Sequence, residues 1–148
     1  MIRPARPADA LLLARLRRHW TLERHGVALD ADSGFEARFR EWYTGQLNRG
    51  TLAWLAYEGS EPVGMLVMFV HERMPEPDRD PGRWGYLGNV IVLPDRRDAG
   101  IGRALLDAAL GHADAHGFNR VVLNPSPRSV PFYERAGFGR DHPLLVRG

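Results

Sequence analysis

Cysteine and lysine are both missing from this chain of 148 residues. Without cysteine there is no disulfide, no thiolate metal ligand and no cysteine nucleophile. All 20 basic side chains are therefore arginine, which sets the isoelectric point near 9.5 although the net charge is only +2. That excess is too small to indicate a nucleic-acid partner, and the cluster Arg15, Arg17, Arg18 reads as the solvated face of a helix. Long apolar runs are also missing. Near the start the longest covers residues 10–14 before Arg15 interrupts it, too short for a signal core or a membrane span, so the expected address is cytoplasmic, with no membrane partner. What is present, 44% hydrophobic and 26% charged residues without repeats or low-complexity tracts, fits a single globular domain over residues 1–148.

Periodicity supplies the elements. After an extended "MIRPARP", residues 8–25 place Leu12, Leu13, Leu16 and Trp20 at helical spacing, with Asp9 in the first turn. Residues 34–48 repeat the pattern with Phe35, Phe39, Trp42, Tyr43 and Leu47, and Gly50 stops it. "TLAWLAYE" and "PVGMLVMFV" around "GSE" predict an antiparallel hairpin turning at Gly59. Pro75, Pro77 and Pro81 make residues 71–85 a surface loop, and "WGYLGNVIVL" reads as a strand buried on both faces. The helical pattern returns over residues 100–116, with Ile101, Leu105, Ala108 and His112 on one side and Gly117 as its cap. "RVVLN" is then a short strand, and residues 130–136 form a last helix with Pro131 in its first turn and Gly137 at its end. Strand, glycine turn, helix and strand make a βαβ unit with a right-handed crossover. Trp20, Trp42, Tyr43 and Trp54 are expected in the core rather than in a cation-binding box.

The turn of that unit carries the chemistry. In "VLPDRRDAGIGRALL", Gly100 and Gly102 sit where a helix begins, and its first amides, unpaired and at the positive end of the macrodipole, suit a phosphate group. Arg96 or Arg97 would supply outer charge. A Walker loop is excluded because Gly102 is followed by Arg103 and Ala104 instead of Lys and Ser or Thr, so a nucleotide-triphosphate binder is disfavoured. A dinucleotide fingerprint is excluded because Leu105 occupies the third glycine position.

What remains, Arg97, Gly100 and Gly102 spelling Arg-x-x-Gly-x-Gly after a strand, resembles the pyrophosphate loop of the GCN5-related N-acetyltransferase (GNAT) family. "SPRSVPFYERAGFG" is similar to the final helix of that family, with Tyr133 on its tyrosine. The resemblance covers most of the chain. It implies an α/β fold with a mixed, mostly antiparallel sheet, helices on both faces and a splayed central strand pair. It also implies acetyl-coenzyme A as cosubstrate and an amine of a small molecule or peptide as acceptor, and it leaves a homodimer open. Carried over to this chain, Val90, Ile91 and Val92 would run beside the pantetheine arm, and Arg97, Asp98, Ala99, Gly100, Ile101, Gly102 and Arg103 would hold the diphosphate. Asp98 stands where the family has glycine or another non-acidic residue, and its charge would oppose a diphosphate. Ser126 occupies the place of the family's asparagine, with Asn124 two residues earlier on the strand as the other contact to the coenzyme.

Tyr133 is the one catalytic assignment, as the acid that protonates the departing thiolate. A backbone N–H among residues 89–92 would donate to the thioester oxygen. No base is assigned: Gly88 and Asn89 stand where relatives often have a carboxylate, and Glu23, His19 and His25 at the end of the first helix are the substitutes. The acceptor is expected between residues 19–27 and the 71–85 loop. His112 and His116 have metal spacing but no evident third ligand, so no metal is expected, and Ser126 and Ser129 lack a nucleophile elbow. The reading from another class is a non-catalytic module that binds coenzyme A or an acyl-coenzyme A.

Overall fold

Five strands lie side by side in chain order: β1 (Ile2–Pro4), β2 (Leu52–Glu58), β3 (Glu61–Glu72), β4 (Arg83–Val92) and β5 (Arg120–Leu123). The first three junctions are antiparallel and the β4–β5 junction is parallel, as the intervening helix requires. The helices are α1 (Ala10–His25), α2 (Phe35–Leu47), α3 (Ile101–Ala115) and the short α4 (Val130–Glu134). This computed structural model describes residues 1–26 and 32–148.

Strict alternation in β3 divides the core into two layers. Met65 and Val67 face α1 and α2, meeting Leu13, Leu16, Phe39 and Tyr43. Leu66 and Met68 face α3, meeting Leu105, Leu106 and Ala109. Each leucine sealed this way contributes about 1.5–3 kcal/mol, so helices on both faces follow from the period-2 pattern of one strand. The buried stripe of α3 is Leu105, Leu106, Ala109 and Ala113, one position round from the predicted one. His112 lies on its flank, with its ring edge to Trp54 at 5.7 Å between centroids.

Two further boundaries differ from the sequence reading. β3 continues to Glu72 and β4 begins at Arg83, so the proline loop is residues 73–82 and the flanking residues are paired strand. Nor is β4 buried on both faces: Tyr86 is 42% exposed. With an antiparallel neighbour on one side, β4 does not need the two-sided cover of an all-parallel sheet.

Pairing between β4 and β5 stops at Leu87↔Leu123 while β4 runs on to Val92, leaving residues 88–92 without a partner on that side among the described residues. A bulge marks the same place. Val67 opposes Asn89 and Met68 opposes Leu87, so Gly88 is an extra residue. A Cβ on Gly88 would fall 2.4 Å from Phe69 Cε2, which only glycine avoids. Bulge and lost pairing together give the splayed strand pair.

The entry to α1 is tied to the sheet edge. The Asp9 carboxylate accepts from Arg3 Nη1 at 2.7 Å, Arg3 Nη2 at 2.8 Å and the Arg6 amide at 2.6 Å, while Arg3 Nη2 also donates to the Tyr57 hydroxyl. Among the described residues no helix is long and apolar enough to cross a membrane.

The Arg3 hydrogen bonds hold the Asp9 carboxyl below its ordinary pKa. Its stabilising contribution is therefore complete above the unfolded value of about 3.9 and lost as pH falls through the folded one. Asp9→Asn is expected to cost about 1.5–3 kcal/mol at pH 7 and to flatten the acid limb of stability in urea titrations. An unchanged midpoint at pH 7 would show the network to be ornamental.

Candidate functional site

The chain leaves β4 through a 3₁₀ turn (Pro94–Arg96) and reaches α3 through two left-handed residues, Asp98 at φ 61° and Gly100 at φ 80°. Left-handed backbone suits glycine and tolerates aspartate. The Ala104 amide donates to the Gly100 carbonyl at 3.0 Å, closing the first turn of α3. The amides of Ile101, Gly102 and Arg103 precede any intrahelical acceptor and carry the positive end of the dipole. At Gly102 a Cβ would sit 3.6 Å from Phe132 Cζ and 3.7 Å from Val92 Cγ2, so this glycine lies between α4 and the end of β4.

These amides border a cleft of about 550 Å³ that runs along the unpaired end of β4. Of the sequence-predicted residues, the cleft brings together Val90, Ile91, Val92, Arg97, Asp98, Gly100, Ile101, Gly102, Arg103, Ser126 and Tyr133. Ala99 and Asn124 are exposed and do not line it. Trp20, Arg128, Ser129, Phe132 and Arg135 also line it, unforeseen from the sequence. Proximity in "SPRSVPFYER" to the tyrosine was the available signal for Arg128 and Arg135. Trp20 is not core: it lines the cleft, with the guanidinium of Arg17 at 4.2 Å and that of Arg24 at 5.0 Å from its ring centroid.

The outer cations are engaged within the protein. Arg97 donates through Nη1 and Nη2 to both oxygens of Glu23, at 2.6 and 2.5 Å, and through Nε to the Val92 carbonyl at 3.1 Å. Arg96 pairs with Glu58 and Asp95. Hydrogen bonds from Arg97, with the charge of Arg128 adding, hold the Glu23 carboxyl below its usual range, so Glu23 is a poor base at neutral pH. His19 and His25 are exposed and line neither this cleft nor the cavity described next. Among the described residues the Asp98 carboxylate makes no hydrogen bond, and it does not cap α3.

The Tyr133 ring packs edge-on against Phe132 and Phe138, at 5.0 and 5.8 Å between centroids. Its hydroxyl has no hydrogen-bond partner among the described residues. Burial pushes the phenol above its ordinary pKa.

A second cavity, about 370 Å³, opens on the α1–α2 face of the sheet. Arg17 of α1, Phe39 and Trp42 of α2, Met65 and Phe69 of β3 and Asn89 of β4 are among its walls. Trp42 is thus a wall, 40% exposed, where core was expected. Residues 73–82 contribute nothing to it, and Val27, named in the expected acceptor region, lies outside the described residues. The two spaces adjoin: Arg17 and Trp20 are one helical turn apart, and Asn89 precedes Val90. Among the described residues no group of three or more His, Asp or Glu side chains could hold a metal.

Fold and site together define a chain with an unpaired helix start beside a splayed sheet. It belongs to the acetyltransferase (GNAT) family, whose pattern it matches over residues 13–138. A glucosamine 6-phosphate N-acetyltransferase of Trypanosoma brucei brucei is 39% identical over 63 residues, 43% of this chain and 42% of that protein. A mycothiol acetyltransferase of Geodermatophilus obscurus is 34% identical over 89 residues, 58% of this chain and 28% of that protein. The chain thus spans less than half the length of these two curated relatives. Among solved structures, a predicted acetyltransferase with acetyl-CoA from Clostridium acetobutylicum superposes with a TM-score of 0.77 at 22% identity, covering 100% of this chain and 95% of that one. This last likeness shows the fold.

Glu23, which holds Arg97, and Asp98, which lines the cleft, are two carboxylates beside the glycine turn. Glu23→Gln releases Arg97 from an exposed pair and is expected to tighten coenzyme A binding roughly two- to fivefold. Asp98→Gly removes a charge and a left-handed non-glycine residue, and is expected to tighten binding without loss of fold stability. Calorimetry with coenzyme A decides both, and affinities unchanged in both variants would show that neither charge reaches the diphosphate.

Proposed function

We propose that this protein transfers an acetyl group from acetyl-coenzyme A to a primary amine. One observation carries the reading: the unpaired amides of Ile101, Gly102 and Arg103 open onto the same cleft as the partnerless edge of β4 and the Tyr133 ring. A diphosphate fits that helix start, with Arg128 and Arg135 close enough to neutralise it. The strand edge would receive an amide-bearing pantetheine arm as an added strand. Val90 and Val92 would supply its apolar bed. A solved acetyltransferase of the same fold from Clostridium acetobutylicum has acetyl-CoA, which supports the choice of cosubstrate.

When bound, the thioester supplies an activated acyl carbon: the amine lone pair forms the C–N bond, the C–S bond breaks, and the amine releases a proton while sulfur gains one. The protein must make the amine neutral, stabilise charge on the carbonyl oxygen and protonate sulfur. An alkyl amine of pKa about 10.4 is neutral in only about one molecule in two thousand at pH 7. Among the described residues no carboxylate lines the α1–α2 cavity. The half-buried Arg17 guanidinium there lowers the pKa of an amine nearby, which does part of the work of a base. An N–H on the 88–92 edge donates to the carbonyl oxygen.

Tyr133 protonates the sulfur. Its raised pKa makes it a weaker acid but keeps it protonated to higher pH. Activity that needs the phenol protonated is therefore expected to persist to about pH 10 and to decline only above it.

Thiol release from acetyl-coenzyme A, measured across a panel of small amines and peptide amino termini, tests the proposal. Tyr133→Phe is expected to lower kcat roughly a hundredfold with little change in coenzyme A affinity. A variant as fast as the parent would remove Tyr133 from the chemistry. Coenzyme A binding without turnover of any amine would favour the non-catalytic binding module.

A further inference from the structure

The α1–α2 cavity has an unbalanced charge. Two cations line it, Arg17 and Arg38. Arg38 is spent, because both its terminal nitrogens bond the Asp32 carboxylate. Neighbouring Arg18, outside the lining, is held by Glu36. Arg17 has no acidic partner among the described residues: its Nη1 donates to Asn89 Oδ1 at 3.1 Å and its plane rests on Trp20. A guanidinium that is half-buried, flanked by another cation in Arg24 and short of a carboxylate is costly unless something anionic meets it.

The rest of the cavity sets what that anion is attached to. Phe39, Trp42 and Phe69 form a continuous aromatic wall, with Phe39–Trp42 centroids at 5.2 Å and Trp42–Phe69 at 6.2 Å. Among the described residues the lining of this cavity holds no carboxylate that would attract a cationic side chain; Glu41 lines a separate pocket that Trp42 also borders. Asn89, which touches Arg17, is the residue before Val90 on the edge where the thioester is placed. With the thioester on that edge, an anion on Arg17 would lie on the acyl side of the site, which favours a short spacer between the anion and the reacting nitrogen.

We propose that the acceptor is an amine carrying an adjacent carboxylate and a large apolar body, that is, a free α-amino acid with an aromatic or branched side chain. Its carboxylate takes the two unused faces of the Arg17 fork, its side chain fills the space between Phe39, Trp42 and Phe69, and its nitrogen points along Asn89 toward Val90. This rests on the acetyltransferase reading and adds the substrate class. Arg17 is then a specificity residue: its charge pairs with the carboxylate and so offsets the pull of that carboxylate toward the ammonium form of the amine.

The test compares three acceptors of one shape: L-phenylalanine, L-phenylalaninamide and 2-phenylethylamine, by thiol release from acetyl-coenzyme A. The parent protein is expected to favour the acid over both neutral analogues roughly ten- to a hundredfold in kcat/KM. In Arg17→Gln that preference is expected to collapse to near unity, and Arg17→Lys to restore part of it. Equal kcat/KM for acid and amide in the parent, which needs no variant to fold, overturns the proposal, as does a preference that survives Arg17→Gln. If no amine turns over, the transferase reading fails by itself. Calorimetry in the presence of coenzyme A then decides this one: binding of the acid but not the amide supports the carboxylate site, and binding of neither, or of both alike, overturns it.

Discussion

The end of hydrogen bonding between β4 and β5 after Leu87↔Leu123 is the constraint on which the rest of this molecule depends. Had the ladder continued, the main-chain groups of residues 88–92 would be satisfied by a neighbouring strand and no ligand could use them. The Gly88 bulge turns β4 at this point, and Phe69 leaves no room there for a side chain. Because α3 starts a few residues beyond the same strand, its unpaired amides open into the same cleft. A partnerless strand edge and an unsatisfied helix start are each a liability in an isolated domain. Side by side they are what the proposed function uses: an elongated ligand with an amide-bearing middle and a diphosphate end would satisfy both.

Electrostatics around this site are held in tension. Arg97, the arginine of the loop motif, is clasped by Glu23 from α1 instead of standing free. The clasp joins α1, which also bears Arg17, to the loop that would grip a diphosphate. An exposed pair of this kind is worth at most about 1 kcal/mol. It is weak enough for a multiply charged ligand to displace, and strong enough to keep Glu23 ionised and out of base catalysis. Among the described residues no carboxylate lines the α1–α2 cavity. On the proposed reaction, amine neutrality would there be favoured by a cation and by burial.

Local patterns were legible in the sequence, and through-space ones were not. The helices, the Gly59 hairpin and the Gly100–Gly102 turn each leave a periodic or punctuating signature, and all of them stand in the structure at or near the expected residues. The prolines at positions 75, 77 and 81 placed the long loop correctly, but strand pairing extends into both of its ends because His71 and Glu72 find register partners in Trp84 and Arg83. Trp20 and Trp42 looked like core residues since their spacing matches buried neighbours; only the assembled faces show each one lining a cavity. The Glu23–Arg97 clasp joins residues 74 positions apart, and no run of letters announces it. Of the residues grouped at the turn, Ala99 is absent from the cleft lining, since a contiguous motif does not imply a contiguous surface. Asn124, just beyond the end of β5, is exposed and lies outside it as well.

The most direct measurement is an amide NMR titration of the ¹⁵N-labelled protein with coenzyme A. The account requires the Ile101, Gly102 and Arg103 amide resonances to move downfield together at saturation, as they would on donating hydrogen bonds to phosphate oxygens. Saturable binding that leaves those three unmoved while others shift would contradict it.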